Sequence, residues 1–236
     1  MVTKHITFHT TQWSVVLAAK GNDTKARNAL RELCESYRTP ILRHIDRAIR
    51  TDSPQSYGGR NAEDLTHDFL IQILEGKMFE HFERREARFR SYLLVTVQHF
   101  LSSVRKRESA TKRGGGVVHL PIHREIQHND ISQADDAAMF DRDWAQTTID
   151  RAIASLGNSP ETQTLLPYLT RELTAEDRAV QAAKLHKSET ALKVALHRLR
   201  TKFRDNIREQ IARTVESKSE IDAELDHLVK ALCAPD

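Results

Sequence analysis

The chain has 236 residues, 39% hydrophobic and 29% charged, with a net charge of +3, enough for one large domain or two small ones. It contains no run of 18 apolar residues, which excludes a membrane-spanning helix, and its opening MVTKHITFHT lacks the apolar core of a secretory signal. Two isolated cysteines, Cys34 and Cys233, make neither a disulfide framework nor a CxxC metal site, so a cytoplasmic protein with no bound metal or cofactor is expected. Eight glycines and six prolines among long Ala, Leu, Arg and Glu-rich stretches predict an all-α chain.

Helices are expected at Gln12 to Ala19 and Ala26 to Tyr37, with Asn22 and Asp23 supplying the turn between them. Pro40 then opens a segment to Ile49, and Ser53 to Gly59 is rich in turn formers. From Ala62 to Glu75 the spacing of Leu65, Phe69 and Ile73 predicts an amphipathic helix that leaves Asp64, His67, Asp68 and Gln72 off the apolar stripe. Phe89 to Arg107 repeats the pattern with Leu93, Val97, Leu101 and Val104 and runs into a basic end.

Charge is segregated along the chain. Residues 84–113 hold nine Lys or Arg against two acids, whereas residues 114–143 hold six acids against two bases. The acidic stretch opens with Gly114, Gly115 and Gly116 and has no sustained helical stripe before Ala137, so it reads as a flexible linker. The expected organisation is an N-terminal helical domain over 1–113, the linker over 114–143, a second helical domain over 144–206 and a helical extension over 207–236. In the second domain Trp144 to Leu156 forms a helix that Gly157 and Asn158 end with a left-handed cap. The acidic linker and tail could fold over the basic faces, or be simply solvated.

Leu185 to Arg204 reads as the turn and second helix of a helix-turn-helix. Leu192, Leu196, Leu199 and Phe203 share one stripe, and Thr190, Lys193, His197, Arg198 and Arg204 lie off it. Ala182 is small where two helices cross, and Ser188 can cap the second helix with Glu189 and Thr190 in its first turn. From Arg178 to Arg204 there are eight Lys or Arg against one acid. Lys193 and Arg198 suit phosphate or a guanine edge. The bland reading is a basic amphipathic helix with a solvated face. In the 89–107 helix Tyr92, Gln98, His99 and Phe100 interleave with bases, which suits single-stranded nucleic acid, although Phe100 fits a core position better.

Taken in order, these segments resemble one family. Ala62 to Phe69, AEDLTHDF, looks like the polymerase-binding helix of bacterial RNA polymerase sigma factors of the extracytoplasmic function group. Phe89 to Arg107, FRSYLLVTVQHFLSSVRKR, is similar to their promoter-melting and −10-reading helix, and Ala191 to Arg200, ALKVALHRLR, to their −35-reading helix. TTQWSVVLAA and the KRGGG at Lys112 to Gly116 resemble a longer subgroup of these factors. The resemblance spans about 200 residues. It implies core RNA polymerase and promoter DNA as partners, leaves open an anti-sigma partner, and implies no catalytic residues. It assigns Asp64 and Asp68 to polymerase binding. Tyr92, Gln98, His99, Ser102, Arg105 and Lys106 would act at −10, and Ser188, Glu189, Thr190, Lys193, His197 and Arg198 at −35.

Two positions depart from the family pattern: Gln181 stands where it usually has Ile, and His186 where it usually has the turn glycine. A non-glycine residue at positive φ is strained, so this turn should be looser or built differently. Two rival readings remain at this level. His67 and Asp68, with Asp64 one turn away, could begin a metal site for phosphohydrolase chemistry. Alternatively, the chain is a DNA-binding regulator that acts without polymerase, with Asp64 and Asp68 merely solvated.

Overall fold

A computed structural model describes residues 24–75, 89–112, 130–215 and 217–234. The described chain is all-α, with eight α-helices, three short 3₁₀ turns and no strand. They are α1 (Thr24–Asp52), α2 (Ala62–Leu74), α3 (Phe89–Lys112), α4 (Asp130–Ala154), α5 (Pro160–Leu165), α6 (Ala175–Lys184), α7 (Glu189–Ala212) and α8 (Ile221–Cys233). They form two compact units, one made of residues 1–147 and 212–236, the other of 148–211.

In the first unit α1 is a single helix through Pro40, where the sequence suggests a new segment. Proline removes one helical hydrogen bond and disfavours the helix interior. Here Leu33, Tyr37, Ile41, Ile45 and Ile49 recur every four residues and are all buried, so one apolar stripe runs unbroken past the proline. Burial of each such side chain contributes about 1.5–3 kcal/mol, which outweighs the local penalty. Helix α2 starts where the Asn61 side chain accepts a hydrogen bond from the Asp64 backbone N–H at 2.9 Å. Its Leu65, Phe69 and Ile73 are buried, and so are Leu93, Val97, Leu101 and Val104 of α3, as their spacing predicts. Phe69 and Phe100 stack at a tilt with centroids 5.5 Å apart, which fixes Phe100 as a core residue. The loop before α2 turns at Gly58 (φ 68°), where a side chain would collide with the Glu108 carboxylate of α3.

Two expected boundaries are corrected. Residues 130–143, read as linker, are the first turns of α4. The helix is fixed by Phe140 and Trp144, a buried pair one turn apart that a sparse upstream pattern conceals. The second domain does not end at Asn206, because α7 continues to Ala212 with Ile207 and Ile211 buried. The 114–129 part of the linker and the expected 12–19 helix lie outside the described residues. The C-terminal extension is helical over Ile221–Cys233 and belongs to the first unit, in which Ile221, Leu228 and Ala231 are buried.

Candidate nucleic-acid interface

The second unit packs Leu156, Leu165, Tyr168, Leu173, Ala182, Leu192, Leu196 and Leu199 into one core, with Leu185 and Phe203 partly buried against it. Each helix start is capped by a hydroxyl. Ser159 accepts from the Thr162 N–H at 3.1 Å, Thr174 from the Asp177 N–H at 3.1 Å, and Ser188 from the Ala191 N–H at 3.2 Å. Between α6 and α7 the turn closes in the Schellman pattern. The Lys187 N–H donates to the Ala182 carbonyl at 2.9 Å and the His186 N–H to the Ala183 carbonyl at 3.1 Å. His186 sits at the left-handed position with φ 53°, so the turn keeps its glycine geometry and histidine takes the strain.

The basic residues divide into those that hold the fold and those that face outward. Arg200 donates to the Tyr168 carbonyl at 2.7 and 3.1 Å and to the Arg171 carbonyl at 3.0 Å. Lys202 donates to the Leu156 carbonyl at 3.1 Å. Arg178 pairs with Glu189 at 3.4 Å, and Lys187 with Glu161. Lys184, Lys193, Arg198 and Arg204 are exposed and have no ion pair among the described residues, and His197 is exposed beside them.

A cleft on one flank of α7 is lined by Arg171, Arg178, Lys193, His197, Arg200 and Arg204, with Glu172 the one acid. The opposite flank forms a second, more apolar cleft lined by Lys187, Arg198 and Lys202, the buried Leu156 and Leu165, and the exposed Val194. Thr190 lies on that side, four and eight residues before Val194 and Arg198. At the start of α6 the Thr174 and Tyr168 hydroxyls donate to Asp177 at 2.9 and 3.0 Å. These bonds, reinforced by the Arg171 guanidinium, hold the Asp177 carboxyl below the usual carboxylate range. Arg171 also lies over the Tyr168 ring, 4.7 Å from its centroid. The six residues assigned to −35 reading therefore take different roles. Lys193, His197, Arg198 and Thr190 are presented outward, Ser188 is a cap, and Glu189 is tied to Arg178.

In α3 the assigned −10 residues divide by face. Tyr92, His99, Ser102 and Lys106 fall on one stripe at spacings of seven, three and four residues; Lys106 is exposed, the other three are half-buried, and burial pushes the Tyr92 phenol up from its usual pKa. Gln98 and Arg105 lie on the flank. Gln98 donates to Asp136 of α4 at 3.3 Å, and Arg105 is paired with Asp52 of α1, which also accepts from the Tyr57 hydroxyl at 2.6 Å. In α2 Asp64 is exposed, but Asp68 is paired with Arg60. No group of three or more His, Cys, Asp or Glu side chains converges among the described residues, and none joins His67 and Asp68.

Compared with protein-family models, curated proteins and solved structures, the chain gives no match.

The sequence reading misses three kinds of residue. Arg171 lines the cleft beside Lys193 and Arg178, but it comes from the segment joining α5 to α6, where no local pattern marks it. Val95, 45% exposed, completes the stripe of α3 between Tyr92 and His99. Ile71 and Leu74, 40% and 39% exposed, extend the outer face of α2 beyond Asp64 and His67. For Ile71 and Val95 a signal was present, since both fall outside the apolar stripe of their own helix.

Proposed function

We propose that the chain is a transcription initiation factor of the extracytoplasmic function sigma type, acting in the cytoplasm as a binding protein without catalytic residues. The observation that carries this reading is the helix-turn-helix of the second unit. Its turn is closed by the Schellman bonds, and its second helix offers Lys193, His197 and Arg198 to solvent while Arg200 and Lys202 anchor it. Such a helix fits the major groove with its basic flanks against the phosphates. The stripe of α3 adds the half-buried Tyr92 ring, the exposed Val95 and Lys106, a surface suited to unstacked bases. The outer face of α2 combines the Asp64 carboxylate with Ile71 and Leu74, which suits a basic amphipathic helix of core polymerase. Among the described residues no helix is long and apolar enough to cross a membrane.

The test is initiation from a genomic promoter library with purified chain and core polymerase, followed by mapping of start sites. Selected promoters should share two elements, and Asp64→Arg with Ile71→Asp should abolish copurification with core enzyme. DNA binding without any polymerase association would instead make the chain a free-standing regulator.

A further inference from the structure

The chain leaves the first unit after Thr147 and returns to it at Ala212, so the second unit is an insertion anchored at both ends. The returning segment buries Val215, Ile221, Leu228 and Ala231, and beside them it is fastened by a cluster of polar groups. Arg90 of α3, only 2% exposed, pairs with Asp141 of α4 at 2.7 Å and with Glu224 of α8, itself 5% exposed. The Arg90 guanidinium also lies 4.6 Å from the Trp144 ring centroid. His227 of α8 meets Asp141 at 2.7 Å, and Arg142 donates to the Ala234 carbonyl. Ahead of α8, Thr214 is hydrogen-bonded to the buried Tyr37 hydroxyl of α1. Three elements of the first unit thus converge on one returning strap.

We propose that residues 212–234 form a releasable latch that sets whether the second unit is held at two ends or at one. The physical basis is the polar share of the contact. Arg90, Asp141, Glu224 and His227 regain hydration when they separate, so opening this contact costs less than opening a wholly apolar one of the same size. Helix α8 has 13 residues, too short to be stable alone, and its other face presents Asp222, Asp226 and Lys230 to solvent. Release therefore unfolds or frees a short segment and leaves the buried α1, α2 and α3 stripes in place. The consequence, which rests on the function proposed above, is that the latch governs the reach between the −10 and −35 modules and so the range of promoter spacings accepted.

Amide exchange in the full chain tests the latch directly. Amides of 221–233 should exchange by local opening, at least tenfold faster than those of 41–49, and Glu224→Gln should speed them about a further tenfold without changing 41–49. Equal rates in the two segments of the unaltered chain would overturn the latch. His227→Ala, at a half-exposed position, should act in the same direction more weakly. If both variants lose cooperative folding, the segment is core and the proposal fails. Spin labels at Arg31→Cys and Ala179→Cys, in a Cys233→Ser background, should report a distance distribution that broadens at least twofold in Glu224→Gln. An unchanged distribution despite faster exchange would also overturn it. Promoter binding across a series of spacer lengths is read separately: broadened distances with no promoter activity would remove the sigma reading and leave the latch standing.

Discussion

The two basic regions each anchor an arginine, and they do so in opposite ways. In the second unit Arg200 and Lys202 are anchored on backbone carbonyls, which accept a hydrogen bond without cancelling the charge. On the flank of α3, Arg105 is anchored on the Asp52 carboxylate, and Gln98 is engaged by Asp136. An arginine on a carbonyl is both a structural tie and a free unit of positive potential, whereas one on a carboxylate is close to neutral a few ångströms away. Similar net charge in the two sequence segments therefore yields dissimilar surfaces. The α7 surface should dominate phosphate attraction and the α3 surface should depend more on its Tyr92 stripe.

The strongest test of this contrast is removal of two of the three cations of α7 that are unpaired among the described residues. Lys193→Ala with Arg198→Ala should weaken binding to duplex DNA by about 50-fold at roughly 0.1 M salt and make the salt dependence shallower by about 0.9 per cation. The same pair of changes should leave single-strand binding by the first unit unaltered. Fluorescence anisotropy across a salt series measures both, and an unchanged slope would show that neither cation meets phosphate. The smaller converse effect comes from freeing a neutralised cation. Asp52→Asn keeps an oxygen for the Tyr57 hydroxyl but releases Arg105, and should raise single-strand affinity about threefold at low salt. No gain would mean that the flank of α3 does not face the strand.

Acid should separate the units by stability. His44 is buried under Phe140, with ring centroids 6.1 Å apart, and its Nδ1 has no partner among the described residues. Burial pushes its pKa below the ordinary 6.5; Arg47 acts in the same direction, while Asp136 and Asp143 oppose it. The folded state therefore favours neutral imidazole. The contribution is fully present above pH 6.5 and is lost as the pH falls below it, because the unfolded chain takes up the proton first. Urea midpoints of the first unit should fall between about pH 7.5 and 5.5, and His44→Gln should flatten that fall. A slope identical in the variant would assign the pH dependence elsewhere.

How much of this was legible depended on whether the cause was local. The stripes Leu65, Phe69, Ile73 and Leu192, Leu196, Leu199 are set by helical period alone, and both helices form where the period places them. Ser188 was legible as a cap because capping is a three-residue event. Pro40 misled because the local rule is overridden by the buried Tyr37, Ile41 and Ile45. The start of α4 was hidden because its acids gain their partners far away in sequence, Asp143 on Arg43 and Arg47 and Asp141 on Arg90. The Arg171 side of the cleft was hidden for the same reason. Net charge counted along a segment could not distinguish a cation on a carbonyl from one on a carboxylate.

The smallest expected effect sits at the turn on which the helix-turn-helix depends. His186 holds φ 53° with no glycine to relieve it, and two backbone bonds to Ala182 and Ala183 keep it there. The left-handed region costs a residue with a side chain roughly 1–2 kcal/mol, while glycine loses more freedom on folding, so His186→Gly should stabilise the second unit by about 0.5–1 kcal/mol. His186→Val, a β-branched residue poorly suited to positive φ, should destabilise it by more than that. Thermal melts of the two variants give both values. If glycine brought no gain, some contact of the imidazole must offset the backbone strain. Because His186 is exposed and adjoins the Lys187 and Ser188 entry to α7, that contact would point to a ligand at the turn, and measuring the same pair with duplex DNA bound would then reveal it.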